Sequence, residues 1–146
     1  RELVAGTPPY IPAFFMAGKM LVGLQRFDEA RAFLRQGNEA AEQGEWDLAV
    51  ARYTKAVEKD PKNIGYKIAL ESARIQASRF HYDKAKMHIA AKDLERAAEE
   101  LEIASNYDPS NRSAADDLII VRQEILRRDQ EMQEREAYDE IKQVRV

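Results

Sequence analysis

The chain has 146 residues and a formal charge of −3, so it is long enough to bury one continuous core without disulfides or a structural metal. It contains no cysteine, which excludes disulfides, thiolate metal sites and cysteine nucleophiles. Its 23 basic residues are outnumbered by 26 acidic ones, so it lacks the basic surplus of nucleic-acid-binding proteins and no nucleic-acid partner is expected. Six glycines, five prolines and 34% charged residues favour a helical scaffold.

The N-terminal quarter of the chain is rich in proline and apolar residues. Prolines and a glycine predict an extended segment over residues 1–10. Small and apolar side chains at helical spacing predict a buried helix over 12–24, a turn at Gln25 and Arg26, and a second helix over 27–43. The most apolar window is about 14 residues, shorter than the ~20 needed to cross a bilayer, so no membrane span is expected.

Two proline stops divide the rest of the chain into helices. Apolar residues at helical spacing predict a helix over 46–59, which the Asp60-Pro61 step ends because proline cannot continue the hydrogen-bond ladder. A long helix over 63–91 and a shorter one over 94–107 follow, and the Asp108-Pro109 step repeats the earlier stop. The last helix, over 112–143, starts apolar and becomes highly charged.

The two proline stops belong to an internal repeat. Residues 47–63 align without gaps with residues 95–111. The identical pairs are Ala49/Ala97, Ala56/Ala104, Asp60/Asp108, Pro61/Pro109 and Asn63/Asn111. Two helices that cross closely need a small residue at the contact, so the repeated alanines predict stacked helix–turn–helix units.

These motifs resemble the tetratricopeptide repeat (TPR) family. One unit is matched by Phe14, Gly18, Leu21, Leu24, Phe27, Ala30 and Leu34, with Gly37 at its second-helix small position. The rear half of a second is matched by Gly44, Trp46, Ala49, Tyr53, Ala56 and Pro61, and a third by Ala85, Leu94, Ala97, Leu101, Ala104 and Pro109. Residues 35–128 also resemble TPR regions of bacterial secretin and pilus-assembly proteins.

The resemblance implies an all-α fold, an antiparallel helix–turn–helix solenoid of TPR type with a long C-terminal helix. The expected organisation is an extended segment over 1–10, a repeat domain over 11–111, and a capping helix with a charged tail over 112–146.

The spacing departs from the family at two places. Ala49 and Ala97 are 48 residues apart, about 14 more than the ~34-residue TPR unit, and about four extra helical turns lengthen a helix while keeping its apolar face in phase. Ala30 and Ala49 are only 19 residues apart. Either the helix over 27–43 serves both neighbouring units, or two fragments are joined there.

No arrangement of residues predicts catalysis, a metal or a cofactor. His81 and His88 are two turns apart on one predicted helix, too far to share a metal, and are interpreted as surface or groove histidines. No HExxH motif, phosphate-binding glycine loop or nucleophile elbow is present. The acidic pairs Glu99-Glu100 and Asp116-Asp117 are interpreted as solvated. We therefore expect a protein that is not an enzyme.

The TPR resemblance implies a concave groove lined by the first helix of each unit. The residues it places there are Phe15, Lys19, Val22, Arg79, Tyr82, Lys86 and Ile89. Mixed aromatic and basic side chains suit an extended or helical peptide with acidic groups. The alternative is that they pack on a neighbouring helix or face water. The asparagines of carboxylate-clamp TPR proteins are missing at the matching positions, so binding of chaperone tails is not expected.

The last helix has two interpretations. As a cap, it covers the final repeat and projects its charged half into solvent. As an oligomeriser, Leu118, Ile125 and Met132 at seven-residue spacing start a coiled coil. The predicted function is accordingly a non-catalytic adaptor that binds a protein or peptide, in the envelope or cytoplasm of a bacterium. The alternative is a structural module that forms homo-oligomers through its long helices.

Overall fold

A computed structural model describes the backbone of residues 10–145 and the side chains of residues 18–145. Five helices account for nearly all of it: α1 (Tyr10–Glu42), α2 (Trp46–Lys59), α3 (Ile64–Ala90), α4 (Leu94–Tyr107) and α5 (Arg112–Val144). No strand occurs in residues 10–145, so the predicted all-α class is confirmed. None of the helices in this range is long and apolar enough to cross a lipid bilayer.

Side chains cap the starts of α4 and α5. Asp93 accepts a hydrogen bond from the backbone N–H of Arg96 at the start of α4, and Asn111 accepts one from Ala114 at the start of α5. These side chains satisfy backbone donors that have no partner within the first turn of a helix. The boundaries predicted for α2, α3 and α4 agree with the structure to within a few residues.

The α1–α2 and α3–α4 turns have the same backbone design. Each contains one residue in the left-handed region, Gly44 at φ +75° and Lys92 at φ +59°. In both turns the next residue donates its backbone N–H to a carbonyl five residues back, at 2.9 Å. This is the Schellman arrangement that ends a helix, and Lys92 adopts it without the freedom of glycine.

The turn predicted at Gln25 and Arg26 is wrong, because α1 runs through both residues as one helix. Neither residue breaks a helix, and Pro12 lies in the first turn, where proline is tolerated. The first helix–turn–helix unit predicted from the sequence therefore does not form. The prediction of a buried helix over 12–24 also fails in its described part, since Leu21 and Leu24 are mostly exposed. The extended segment predicted over 1–10 lies outside the described residues, except for Tyr10, which begins α1.

The continuous α1 explains the short spacing between Ala30 and Ala49. The two alanines belong to the two helices of one hairpin rather than to successive units. Gly37 faces α2, where an added Cβ would lie 2.5 Å from Cε1 of Tyr53. Gly37 is therefore the small residue on the first helix of the hairpin, and its assignment to a second helix is wrong.

The chain divides into two compact units, residues 1–73 and 74–146, with the boundary inside α3. In the first unit, Tyr53 packs with the buried residues Ala40, Ala49 and Ala73. Its hydroxyl donates a hydrogen bond to Oδ1 of Asn38 at 2.8 Å. Large side chains on α2 thus fill the space that small side chains on the neighbouring helices leave.

The second unit has the matching core. Leu101, at the repeat position of Tyr53, is fully buried among Ala85, Ala97, Ala104 and other residues of α3, α4 and α5. Ala49, Ala56, Ala97 and Ala104 are each 0% exposed, which confirms that the repeated alanines lie at helix contacts. The hairpin of α3 and α4 positions the long faces of α3 and α5 in the second unit.

Candidate partner-binding groove

The second unit contains a cleft between α3 and α5. Its volume is about 300 Å³, and its lining residues are Lys86, Ile89, Asp117, Ile120 and Val121. Tyr82 lies one turn before Lys86 on α3 and touches the same edge through Asp117. The cleft therefore brings together three residues predicted for the groove, Tyr82, Lys86 and Ile89.

The polar edge of the cleft consists of a hydrogen bond between Tyr82 and Asp117 and the ammonium group of Lys86. The hydroxyl of Tyr82 donates to Oδ2 of Asp117 at 2.9 Å. This bond, helped by burial, raises the pKa of Tyr82 above its ordinary value. Nζ of Lys86 lies 4.9 Å from the centroid of the Tyr82 ring, within the range of a cation–π contact.

Lys86 keeps its positive charge at this edge. Its Nζ is 2.6 Å from Oδ1 of Asp83, and the hydrogen bond to Asp83 raises the pKa of Lys86. The ammonium group is exposed, so an anionic group on a partner has access to it.

The other side of the cleft is apolar. Val121 is buried at its base, and Ile89 is half-buried against the same core. Ile120 remains 61% exposed on the open side. An apolar side chain from a partner would cover Ile120 and gain the free energy of removing both surfaces from water.

The remaining predicted groove residues are not brought into this cleft. Arg79 is exposed on α3 and is not part of the cleft lining. Lys19 and Val22 are exposed on α1, which belongs to the first unit. The side chain of Phe15 lies outside the described residues.

The half of the cleft that comes from α5 was missed by the sequence prediction. The sequence predicts that Asp117 belongs to a solvated acidic pair, but Asp117 is half-buried and accepts the Tyr82 hydrogen bond. The available signal was the pair of apolar residues Ile120 and Val121 one turn after Asp117. Adjacent residues point about 100° apart around a helix, so two consecutive apolar residues indicate contacts on more than one side of it.

A second concave surface occurs in the first unit. It has a volume of about 390 Å³ and lies where α1 passes the end of α2. Phe27 supplies its apolar part, while Arg26, Lys59 and Lys62 supply positive charge. Nζ of Lys59 is 2.5 Å from Oε2 of Glu29, so part of that charge is neutralised within the hairpin.

His81 is a structural residue, and its interpretation as a surface or groove histidine is wrong. It is 5% exposed, stacks on Tyr107 with ring centroids 5.7 Å apart, and its Nδ1 is 2.5 Å from Oε2 of Glu100. Glu100 also pairs with Nζ of Lys84 at 2.6 Å. Burial alone would raise the pKa of Glu100, but the His81 and Lys84 hydrogen bonds outweigh it and hold that pKa below its ordinary value.

Within residues 18–145, no group of three or more histidine and carboxylate side chains is arranged to hold a metal ion. His88 is half-buried, with Nδ1 4.0 Å from Oδ2 of Asp93. Glu100, which was interpreted as solvated, is instead bound to His81 and Lys84. His81, Lys84 and Glu100 thus join α3 to α4.

Neither a protein-family model nor a curated protein sequence matches this chain. Among solved structures, the first TPR domain of Spaghetti (RPAP3), bound to the HSP90 peptide SRMEEVD, is similar at 21% sequence identity. The similarity covers 68% of this chain and 95% of that domain, with a TM-score of 0.33.

Proposed function

We propose that the chain is a non-catalytic protein-interaction module. Its second unit binds a peptide or a helix of another protein in the cleft between α3 and α5. The observation that carries the proposal is the open apolar side at Ile120, next to the charged edge at Lys86. Apolar surface beside a positioned charge is typical of sites that anchor one side chain and orient its neighbours.

The size of the cleft favours a polypeptide over a small molecule. About 300 Å³ is at the lower limit for small-molecule pockets, which enclose most of the ligand surface. An open cleft of this size accepts one or two side chains of a longer ligand. The rest of such a ligand would continue along the exposed faces of the two helices.

The charges favour a partner with acidic groups. Lys86 and Arg79 are exposed on α3 about two turns apart. Lys86 already pairs with Asp83, so a partner carboxylate must compete with an existing ion pair. We therefore expect modest affinity that falls as the salt concentration rises.

A displayed peptide library tests this function. Selection on the full chain should enrich peptides in which an apolar residue is close to one or two acidic residues. The Lys86→Glu variant should bind those peptides at least about tenfold more weakly, because it places like charges together. The matched control is Lys55→Glu, an equally exposed lysine that also pairs with an acid three residues away.

Lys55→Glu should bind the peptides as the unchanged chain does. Two results would overturn the proposal. One is that no peptide is enriched over a bare surface. The other is that Lys55→Glu and Lys86→Glu reduce binding equally.

We also propose that the protein works in a bacterial secretion or pilus-assembly system of the envelope. The support is the sequence resemblance of residues 35–128 to TPR regions of such proteins. Fractionation of the tagged protein in its own cell tests this: the proposal requires it in the envelope or periplasmic fraction. Recovery with cytoplasmic proteins would contradict it.

A further inference from the structure

From Ile119 to Val144, α5 has a nearly uncharged stripe on an exposed face. Its members alternate four and three residues apart. We call this stripe the α5 seam: Ile119, Gln123, Leu126, Gln130, Gln133, Ala137 and Val144. Glu140 is the one charged residue in the series, and Ile141 follows it directly. All seven seam residues are exposed.

The seam is a different face of α5 from the one that packs in the core. Leu118, Val121 and Ile125 contact the core of the second unit. Val121 is two positions after Ile119, so it points about 200° away around the helix. Of the three coiled-coil positions predicted from the sequence, Leu118 and Ile125 are therefore occupied by the fold, whereas Met132 is 54% exposed.

The absence of charge from the seam is selective. Nine of the 15 residues from Arg122 to Glu136 are charged, yet none of the four seam positions in that range is. The contact stripe of paired helices has the same spacing of four and three residues, with apolar residues at those positions. Four of the seven seam residues are apolar. Ile119 and Leu126 are 56% and 64% exposed, so the fold of the single chain does not use this face.

We propose that the α5 seam pairs with the α5 seam of a second copy of this chain, in antiparallel orientation. One register aligns the two stripes over their whole length. Its layers are Ile119 with Val144, Gln123 with Glu140, Leu126 with Ala137, and Gln130 with Gln133, each formed twice by symmetry. Each apolar residue then meets an apolar residue, and the glutamines meet polar groups.

The residues that flank the seam support the same register. It places Ile120 beside Ile141 of the second copy, and Arg127 beside Glu134 of the second copy. Arg127 now pairs with Glu124 and Glu131 of its own helix, at 2.5 Å each, so Glu134 of the second copy would extend an existing network. One like-charged pair, Asp129 with Glu136, limits the gain.

Other arrangements bring like charges together more often. In a parallel pair, Arg122 would face Arg127 and Asp129 would face Glu134, while Glu140 would face its own copy. An antiparallel pair shifted by one heptad would set Arg127, or Glu134, against the same residue of the second copy. Charge therefore selects the proposed register.

Self-association of this kind goes beyond the proposed function, because none of the seam residues lines the cleft, and only the flanking Ile120 belongs to both surfaces. Three glutamines in the seam make the pairing weaker than that of an all-aliphatic coiled coil. We expect a reversible dimer that forms as the protein concentration rises. Ile120 lies between the cleft and the seam, so the test relies on residues that do not line the cleft.

Sedimentation velocity of the full chain, from micromolar to submillimolar concentration, tests the proposal. The unchanged chain should shift from monomer to dimer. Arg127→Glu and Glu134→Arg should each weaken the dimer at least about tenfold, since each sets like charges together twice. An equimolar mixture of the two variants should dimerise as the unchanged chain does, because opposite charges then meet at both flanks.

The matched control is Arg135→Glu, which reverses an exposed arginine on another face of α5 and should leave the dimer unchanged. Recovery in the mixture also shows that both variants are folded. Tighter association of Arg127→Glu would indicate a parallel pair and overturn the proposal. A chain that stays monomeric at every concentration would overturn it too, and neither result affects peptide binding at Lys86.

Discussion

At the scale of single residues, small side chains decide where helices approach. An added Cβ on Gly37 would lie within 3 Å of the Tyr53 ring, which is itself held by a hydrogen bond to Asn38. Gly23, on the same helix, has no atom within 4 Å of such a Cβ. Replacing each glycine with alanine therefore separates two effects: packing against Tyr53 acts only at Gly37, whereas helix propensity acts at both positions.

Gly37→Ala should lower the free energy of unfolding by about 1–2 kcal/mol, because displacement of a buried ring outweighs the gain in helix propensity. Gly23→Ala should raise it by about 0.5–1 kcal/mol, because alanine loses less backbone entropy in a helix. Denaturant titration followed by circular dichroism measures both. Equal effects of the two substitutions would show that Gly37 does not face Tyr53.

The repeated alanines give a second test at this scale. Ala97→Leu should lower the free energy of unfolding by about 1–3 kcal/mol through overpacking, since Ala97 is 0% exposed between packed helices. Ala51→Leu, on the exposed face of α2, is the control and should change stability little. A stable Ala97→Leu variant would place Ala97 away from a helix contact.

The alanine contacts could be predicted from the sequence, because the same alanines recur at equal spacing in the two aligned segments. The alignment could not place Gly37, since a small residue fits the first helix of one hairpin as well as the second helix of another. Continuity of α1 decides between them, and it depends on the absence of a break at Gln25 and Arg26. The sequence contains no residue there that ends a helix. The turn is predicted from the family pattern alone.

At the scale of helices, α3 and α4 are joined by polar groups as well as alanines. Oγ of Ser78 donates to the carbonyl of Ala104 at 2.7 Å and accepts from Nδ2 of Asn111 at 2.9 Å. Glu100 binds His81 and Lys84 of α3. These partners could not be predicted from sequence, because they depend on the rotation of α3 relative to α4.

The Glu100 contacts make this helix pair sensitive to acid. Because the folded-state pKa of Glu100 is lowered from 4.5, its contribution is fully present above that value and is lost as the pH falls through the folded-state pKa. At neutral pH, Glu100→Gln should lower the free energy of unfolding by about 1–2 kcal/mol. The difference from the unchanged chain should shrink as the pH falls below 4.5.

Denaturant titrations at several pH values measure this difference. Glu99→Gln is the control, because Glu99 is the exposed neighbour of Glu100 and should have little effect at any pH. A Glu100→Gln penalty that persists unchanged in acid would show that the charge of Glu100 does not stabilise the helix pair.

At the scale of the whole molecule, the fold was more predictable than the candidate site. The repeat, the proline stops and the 14-residue excess between Ala49 and Ala97 predicted the helix order and the long α3. The α3 side of the cleft was predicted from the TPR resemblance. The α5 side was not predicted, because α5 lies outside the repeat. Which residues of α5 face the cleft depends on the rotation of the helix that buries Val121 in the core.

The central claim is that α3 and α5 of the second unit form a cleft that binds a protein partner. The most direct measurement is an amide NMR titration of the full chain with a peptide selected from the library. Saturable shifts should concentrate at Tyr82, Lys86, Ile89 and Asp117 and disappear in Lys86→Glu. Shifts confined to the exposed apolar residues of α1, Met20 to Phe27, or no saturable shifts at all, would contradict the claim.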